Sequence, residues 1–157
     1  MAVQFIDNSI KVKAQINEKT IAWLYEWANE IASQAKDNVA LDGEAGTQLR
    51  GSYRADVNAG GGEAKIGTPL ESGYWEEYGT GEYAVHGDGR KGWWVYKDGY
   101  QGNGGEQLTE AEAKAIAASD PSVHATNGRP AHFTLEKAFT KVKPKAIADL
   151  ETKLKGL

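Results

Sequence analysis

The chain has 157 residues, no cysteine and a formal net charge of −4. A length of this kind predicts one domain, residues 1–157, with its own hydrophobic core. The missing thiols exclude disulfides, cysteine nucleophiles and thiolate zinc sites, and the acidic balance argues against a sequence-independent nucleic-acid binder.

No run approaches the ~20 consecutive apolar residues of a membrane span. Met1 to Ile10 carries Asp7 and Asn8 in its middle and has no basic start before an apolar stretch, so no secretion signal is expected there. Val3 and Phe5, then Ile10, Val12, Ala14 and Ile16, alternate with polar residues around Asp7-Asn8, which predicts a hairpin or extended arm over 1–16. Asn17 is a candidate cap for an amphipathic helix to about Lys36, with Ile21, Leu24, Ala28, Ile31, Ala32 and Ala35 on its apolar stripe. Trp23 and Trp27 flank that stripe and read as core packing, with a subunit interface as the sharper alternative.

Asp42 to Gly46 reads as loop, and Leu49 to Asn58 as a strand through Leu49, Tyr53, Ala55 and Val57. Ala59 to Gly62 is a turn, followed by a return strand with Ala64 and Ile66. Pro69 to Tyr78 predicts a short helix that Gly79 caps. Trp93 to Tyr96 reads as a strand, Asp98-Gly99 as a tight turn and Tyr100 as the start of a return, with a flexible Gly102 to Gly105 beyond. Thr109 and Glu112 have the spacing of a capping box for a helix to Ala118, inside a loop-and-helix insertion over 101–125. Leu135, Ala138, Phe139, Val142, Ala146, Leu150 and Leu154 share a face of a last helix, which Pro144 should kink or split near Thr140. The class is α+β, an antiparallel sheet packed against N- and C-terminal amphipathic helices. Ile21, Leu24, Ile31, Phe139 and Leu150 are the expected core.

Chemistry is hard to find. Glu76 and Glu77, with Glu82, could form the acid pair of a glycosidase, but they read as surface acids on a short helix and its exit. His86, His124 and His132 lack metalloprotease spacing, and His86 with Asp88 reads as a solvated loop pair, so no metal is expected. Gly87 to Gly92 lacks the Gly-Lys-Ser/Thr ending of a phosphate loop, and no motif asks for a cofactor. No enzyme activity is expected.

Two distributions stand out. Past Pro121 the chain is rich in lysine (Lys137, Lys141, Lys143, Lys145, Lys153 and Lys155), whereas its middle is acidic, a polarity that suits head-to-tail contact between copies. Those lysines are expected to give weak, salt-sensitive DNA affinity at most. Tyr74, Trp75, Tyr78, Tyr83, Trp93, Trp94 and Tyr96 form an aromatic-rich set, which fits a protein interface or a carbohydrate-binding face.

Four blocks, in order, resemble the gene-product-ten-like family of minor structural proteins from long-tailed bacteriophages of the HK type, also called neck, head–tail joining or tail-completion proteins. They are Gly46 with Leu49-Arg50 and Ser52; Glu77-Tyr78-Gly79-Thr80-Gly81-Glu82-Tyr83-Ala84; Gly89-Arg90-Lys91 with Trp94-Val95-Tyr96; and Arg129-Pro130-Ala131-His132-Phe133 with Ala138-Phe139. The chain departs from the family pattern at Ala40 and His132, where prolines are usual, and in the scrambled Asp42 to Thr47 and the long Gln101 to Ala125. The resemblance implies a virion subunit made in the host cytoplasm. It implies a ring of identical copies between a head-closure or adaptor protein and a tail-terminator or tail-tube protein, with DNA only in transit. The implied interface candidates are Arg50, Glu77, Tyr78, Gly79, Thr80, Gly81, Tyr83 and Trp94, with Arg50 beside Glu77. The glycine-rich loop from Tyr78 to Ala84 is expected at a subunit contact.

Overall fold

A computed structural model describes residues 9–60, 62–97 and 107–156, with side chains from Lys13 onward. The elements in order are α1 (Ser9–Asn38), α2 (Gly43–Ser52), β1 (Arg54–Asn58), β2 (Glu63–Gly67), α3 (Glu71–Tyr78), β3 (Thr80–Gly81), β4 (Trp94–Lys97), α4 (Glu110–Ser119), β5 (Val123–Thr126), β6 (Gly128–Arg129) and α5 (Thr134–Lys155). The fold is α+β, with long helices at both ends of the described chain and antiparallel pairing throughout. The strands fall into three two-stranded ladders, β1–β2, β3–β6 and β4–β5. Two compact units result, residues 9–69 with 134–156, and residues 70–133.

In the first unit α1 and α5 run antiparallel. The Asn38 amide at the end of α1 donates to Thr134 O at the start of α5, 3.0 Å away, and Lys19 Nζ reaches Lys153 O at the other end. Between them both indoles are tied down. Trp23 Nε1 donates to Ala146 O at 2.8 Å and Trp27 Nε1 to Asp149 Oδ2 at 2.9 Å. Both tryptophans are therefore helix-to-helix packing residues of one unit, as their place beside the stripe suggested. The core joins Ile31, Ala35 and Val39 of α1 and its exit to Leu49, Tyr53, Ala138 and Val142, with Trp27, Leu41, Ile66 and Leu135 around them. The β1–β2 hairpin, in register from Arg54↔Gly67 to Asn58↔Glu63, lies on α1.

Several expectations need correction. Residues 9–16 are helical, because no proline or glycine interrupts Ser9–Asn38 and extending a helix adds one hydrogen bond per residue fixed. The residues before Ser9 lie outside the described chain, so Asn17 is an interior helical position and not a cap. Residues 43–52, expected as loop and strand, form α2. Leu49 and Tyr53 are four apart, a spacing compatible with both periods, and both are almost fully buried. Only glycine fits at 46, where a Cβ would stand 1.8 Å from Leu41 O. One turn on, Arg50 Nη2 donates to Val39 O and Leu41 O, both at 3.1 Å.

Pro144 does not split the last helix, since α5 is one element from Thr134 to Lys155. Thr140 and Pro144 both lie on the exposed side, where the carbonyl that proline leaves unpaired is open to solvent, while Val142 and Ala146 anchor the buried side. Phe139, expected in the core, is 50% exposed, and Ile21, Leu24 and Leu150 are only partly buried. The burial face of α5 is the row Thr134, Ala138, Val142 and Ala146, whose small side chains let the helices approach closely. The Asp98-Gly99 turn, the Tyr100 return and the Gly102 to Gly105 stretch lie outside the described residues. The partner that β4 has is β5, with Trp94↔Thr126 through Lys97↔Val123 in register.

Candidate functional site

The second unit is built around a glycine loop. The short α3 ends at Gly79, whose N–H donates to Trp75 O at 2.8 Å and whose φ is 73°. The chain then forms β3, which pairs antiparallel with β6 as Thr80↔Arg129 and Gly81↔Gly128. Arg129 N–H donates to Thr80 Oγ1 at 3.0 Å, and Glu82 N–H donates to Asn127 O at 2.9 Å. A tight turn follows, with Tyr83 N–H on Thr80 O, Ala84 N–H on Gly81 O and Val85 N–H returning to Tyr78 O.

Backbone lies against backbone here. A Cβ on Gly81, where φ is 60°, would meet Asn127 O at 2.2 Å, Gly128 Cα at 2.6 Å and the Trp94 ring at 2.7 Å. One on Gly79 would meet Ala131 N, Arg129 O and Tyr83 O, each at 2.8 Å. These glycines are thus internal packing positions of the unit, and the side chains left facing outward belong to their neighbours. Tyr74, Trp75, Tyr83 and Tyr96 are 44–49% exposed and Val85 is 52% exposed. The other aromatics of the set are partly covered. Tyr78 lies between Tyr74 and His86, Trp94 carries the Arg90 guanidinium 5.0 Å above its ring, and Lys114 stands over Trp93.

The three acids sit differently from one another. Glu76 and Glu77, read from sequence as surface acids, are only 2% and 7% exposed. Arg129 Nη2 lies 3.4 Å from Glu76 Oε2, and the carbonyls of Glu76 and Glu77 accept from His132 N–H and Phe133 N–H. Glu82 is exposed, and its carboxylate clasps the loop. One oxygen accepts from Gly92 N–H at 3.2 Å and the other from the Asn127 amide at 3.1 Å. Arg50, in the first unit, donates to the Val39 and Leu41 carbonyls. Among the described residues no three His, Asp or Glu side chains group as metal ligands, and no helix is long and apolar enough to cross a membrane.

The remaining support of the unit is local. The capping box is present as read, with Glu112 N–H on Thr109 Oγ1 and Thr109 N–H on Glu112 Oε2. The Thr109 hydroxyl, which donates to Glu112 Oε2 at 2.7 Å, and then the Thr109 N–H hold the Glu112 carboxyl below its ordinary value. Ser122 N–H and its hydroxyl do the same for Asp120. Of the interface candidates, Glu77, Tyr78, Gly79, Thr80, Gly81, Tyr83 and Trp94 all belong to this unit, and Arg50 does not. Sequence reading missed Asn127 and Gly128. Their Asn-Gly pair is a turn signal, and Gly128 does adopt a positive φ of 125°.

No protein family, curated protein or solved structure matches the chain.

Proposed function

We propose that the chain is a non-catalytic structural subunit of a tailed-phage neck, one copy of a ring that joins the DNA-filled head to the tail and lets DNA pass. Its neighbours are further copies, a head-closure or adaptor protein, and a tail-terminator or tail-tube protein. It is made in the bacterial cytoplasm and ends in the virion. One observation carries the reading. Three of the four blocks that resemble neck proteins meet around Thr80 and Gly81, two of them neighbours in sequence and the third almost fifty residues on. The Gly-Thr-Gly run pairs with Gly128-Arg129, and Gly89 and Trp94 pack against Gly81. That the parts of the motif fold against one another supports the reading.

The acids support a structural role. Glu76 neutralises Arg129 inside the unit, and both Glu82 oxygens are committed to loop hydrogen bonds. An acid–base pair flanking a cleft, as glycoside hydrolysis requires, is not what these contacts build. In this reading the half-exposed Tyr74, Trp75 and Tyr83 face a neighbouring subunit, where aromatics are enriched. Silencing the gene in the phage that encodes it should give filled heads and finished tails that do not join, and adding purified protein to that lysate should restore infectious particles. Normal particles from the silenced gene would overturn the proposal.

A further inference from the structure

One face of α5 carries four lysines and no acid. Lys137, Lys141, Lys145 and Lys155 are all exposed, and they fall with Ala148 and Thr152 inside an arc of roughly 80° at 3.6 residues per turn. No acid lies within that arc. Glu136 and Glu151 point elsewhere on the helix, and Asp149 turns inward to Trp27 and Lys153. Lys153 behaves differently from the four, because it is bound by Asp149 and Glu26, and Lys143 lies over the Phe139 ring. Among the described residues none of the four meets a carboxylate. Like charges four apart on a helix cost stability, so three in a row at 137, 141 and 145 are a standing expense unless an anion covers them.

We infer that this stripe is the surface that contacts the phosphate backbone of passing duplex DNA, an assignment that rests on the connector reading above. The stripe runs about 27 Å from Lys137 to Lys155 at ~1.5 Å per residue, with steps of about 6 Å between its first lysines. Between the lysines stand only small side chains, Ala148 and Thr152, so a rod-like polyanion can lie along it. Lysine is a point charge on a flexible stem and reads no base. The stripe has no aromatic or large aliphatic anchor of the sort that fixes a protein partner, because Phe139, Ile147 and Leu154 lie on the opposite side of the helix. Charge without anchors gives contacts that are remade as the duplex slides, and it adds no stop.

The test uses the purified full chain and a labelled, mixed-sequence duplex in fluorescence anisotropy. Neutralising four phosphates predicts a log–log salt slope of roughly −3.6, which is a loss of about a hundredfold in affinity between ~50 and ~200 mM salt. Changing Lys137, Lys141, Lys145 and Lys155 together to Gln should weaken binding at low salt by more than tenfold and flatten the slope. Changing them to Arg should preserve both. Gln has nearly the helix propensity of Lys, and circular dichroism checks that the variant is folded. Lys65→Gln with Lys97→Gln, on the hairpin and on β4, should change neither quantity. Unaltered affinity and slope in the fourfold Gln variant would overturn the assignment. So would binding to polyglutamate as tight as to duplex at equal salt, which would make the stripe a dock for an acidic protein. A silenced-gene phage with normal necks removes the connector reading without touching this titration. A neck that depends on the chain while its duplex binding ignores the lysines removes only the stripe.

Discussion

At Gly81 a single hydrogen atom in place of a methyl group decides whether the second unit closes. Its positive φ costs a side-chain residue of order 1–2 kcal/mol, and the 2.2 Å approach to Asn127 O adds overlap with backbone that cannot swing aside. Gly81→Ala should therefore lower the stability of this unit by at least ~2 kcal/mol, seen as earlier proteolysis within residues 70–133. Gly43→Ala serves as the comparison. Its φ is 69° but nothing lies within 4 Å of the added carbon, so only the conformational cost of about 1 kcal/mol applies. Equal effects would mean that the close packing at Gly81 is not what holds the loop. Bulk at 79 or 81 would therefore disturb the fold itself and not only a contact made by the loop. On the proposed reading the contact surface is formed by the exposed side chains around the glycines, Tyr74, Trp75 and Tyr83.

At the scale of elements, α1 and α5 are held by buried small residues and by a polar clasp at one end. Leu49→Ala, at a fully buried site, should cost ~2–5 kcal/mol, whereas Phe139→Ala, half exposed, should cost well under that, and chemical denaturation compares them. The clasp predicts a pH profile. Hydrogen bonds from Lys153 and then Trp27 hold the Asp149 carboxyl below the ordinary aspartate range. A depressed folded-state value stabilises above the ordinary value, ~4, and that support fades as pH falls through the lowered one. Lys153 is raised by Asp149 and then by Glu26, so its support is complete below ~10 and fades as pH rises past the raised value. Melting of the wild type should lose stability at both ends, and Asp149→Asn should flatten both limbs relative to it. Limbs of unchanged steepness in Asp149→Asn would show that the clasp does not set them.

Much of this layer was legible in the sequence. The α4 capping box, the Gly79 cap and the β1–β2 turn are short-range signals that each residue set carries by itself. The α2 helix was not legible, because Leu49 and Tyr53 suit either period and the deciding contacts are tertiary, the Leu41 carbonyl over Gly46 and the Arg50 hydrogen bonds. Phe139 was misplaced because periodicity gives a face and not its width, and α5 turns its small residues inward. In the candidate site the glycine run was readable as a tight loop. Its partner Gly128-Arg129 lies almost fifty residues away, and no local rule pairs them.

Taken whole, the molecule has a helical unit with a basic stripe and a smaller unit with exposed aromatics around a closely packed loop. The chain as a whole is acidic, which keeps any grip on DNA weak and local. A subunit of a passage ring needs these properties together. In the proposed ring the aromatic surface would supply the anchoring contacts and the lysine stripe the contacts that slide. The most direct measurement is the position of the chain in the particle. Purified virions of the encoding phage, labelled on this chain and imaged by electron microscopy, should show density as a ring at the head–tail junction and nowhere else. Label along the tail, at the tail tip or on the capsid shell, or virions that lack the chain, would contradict the account.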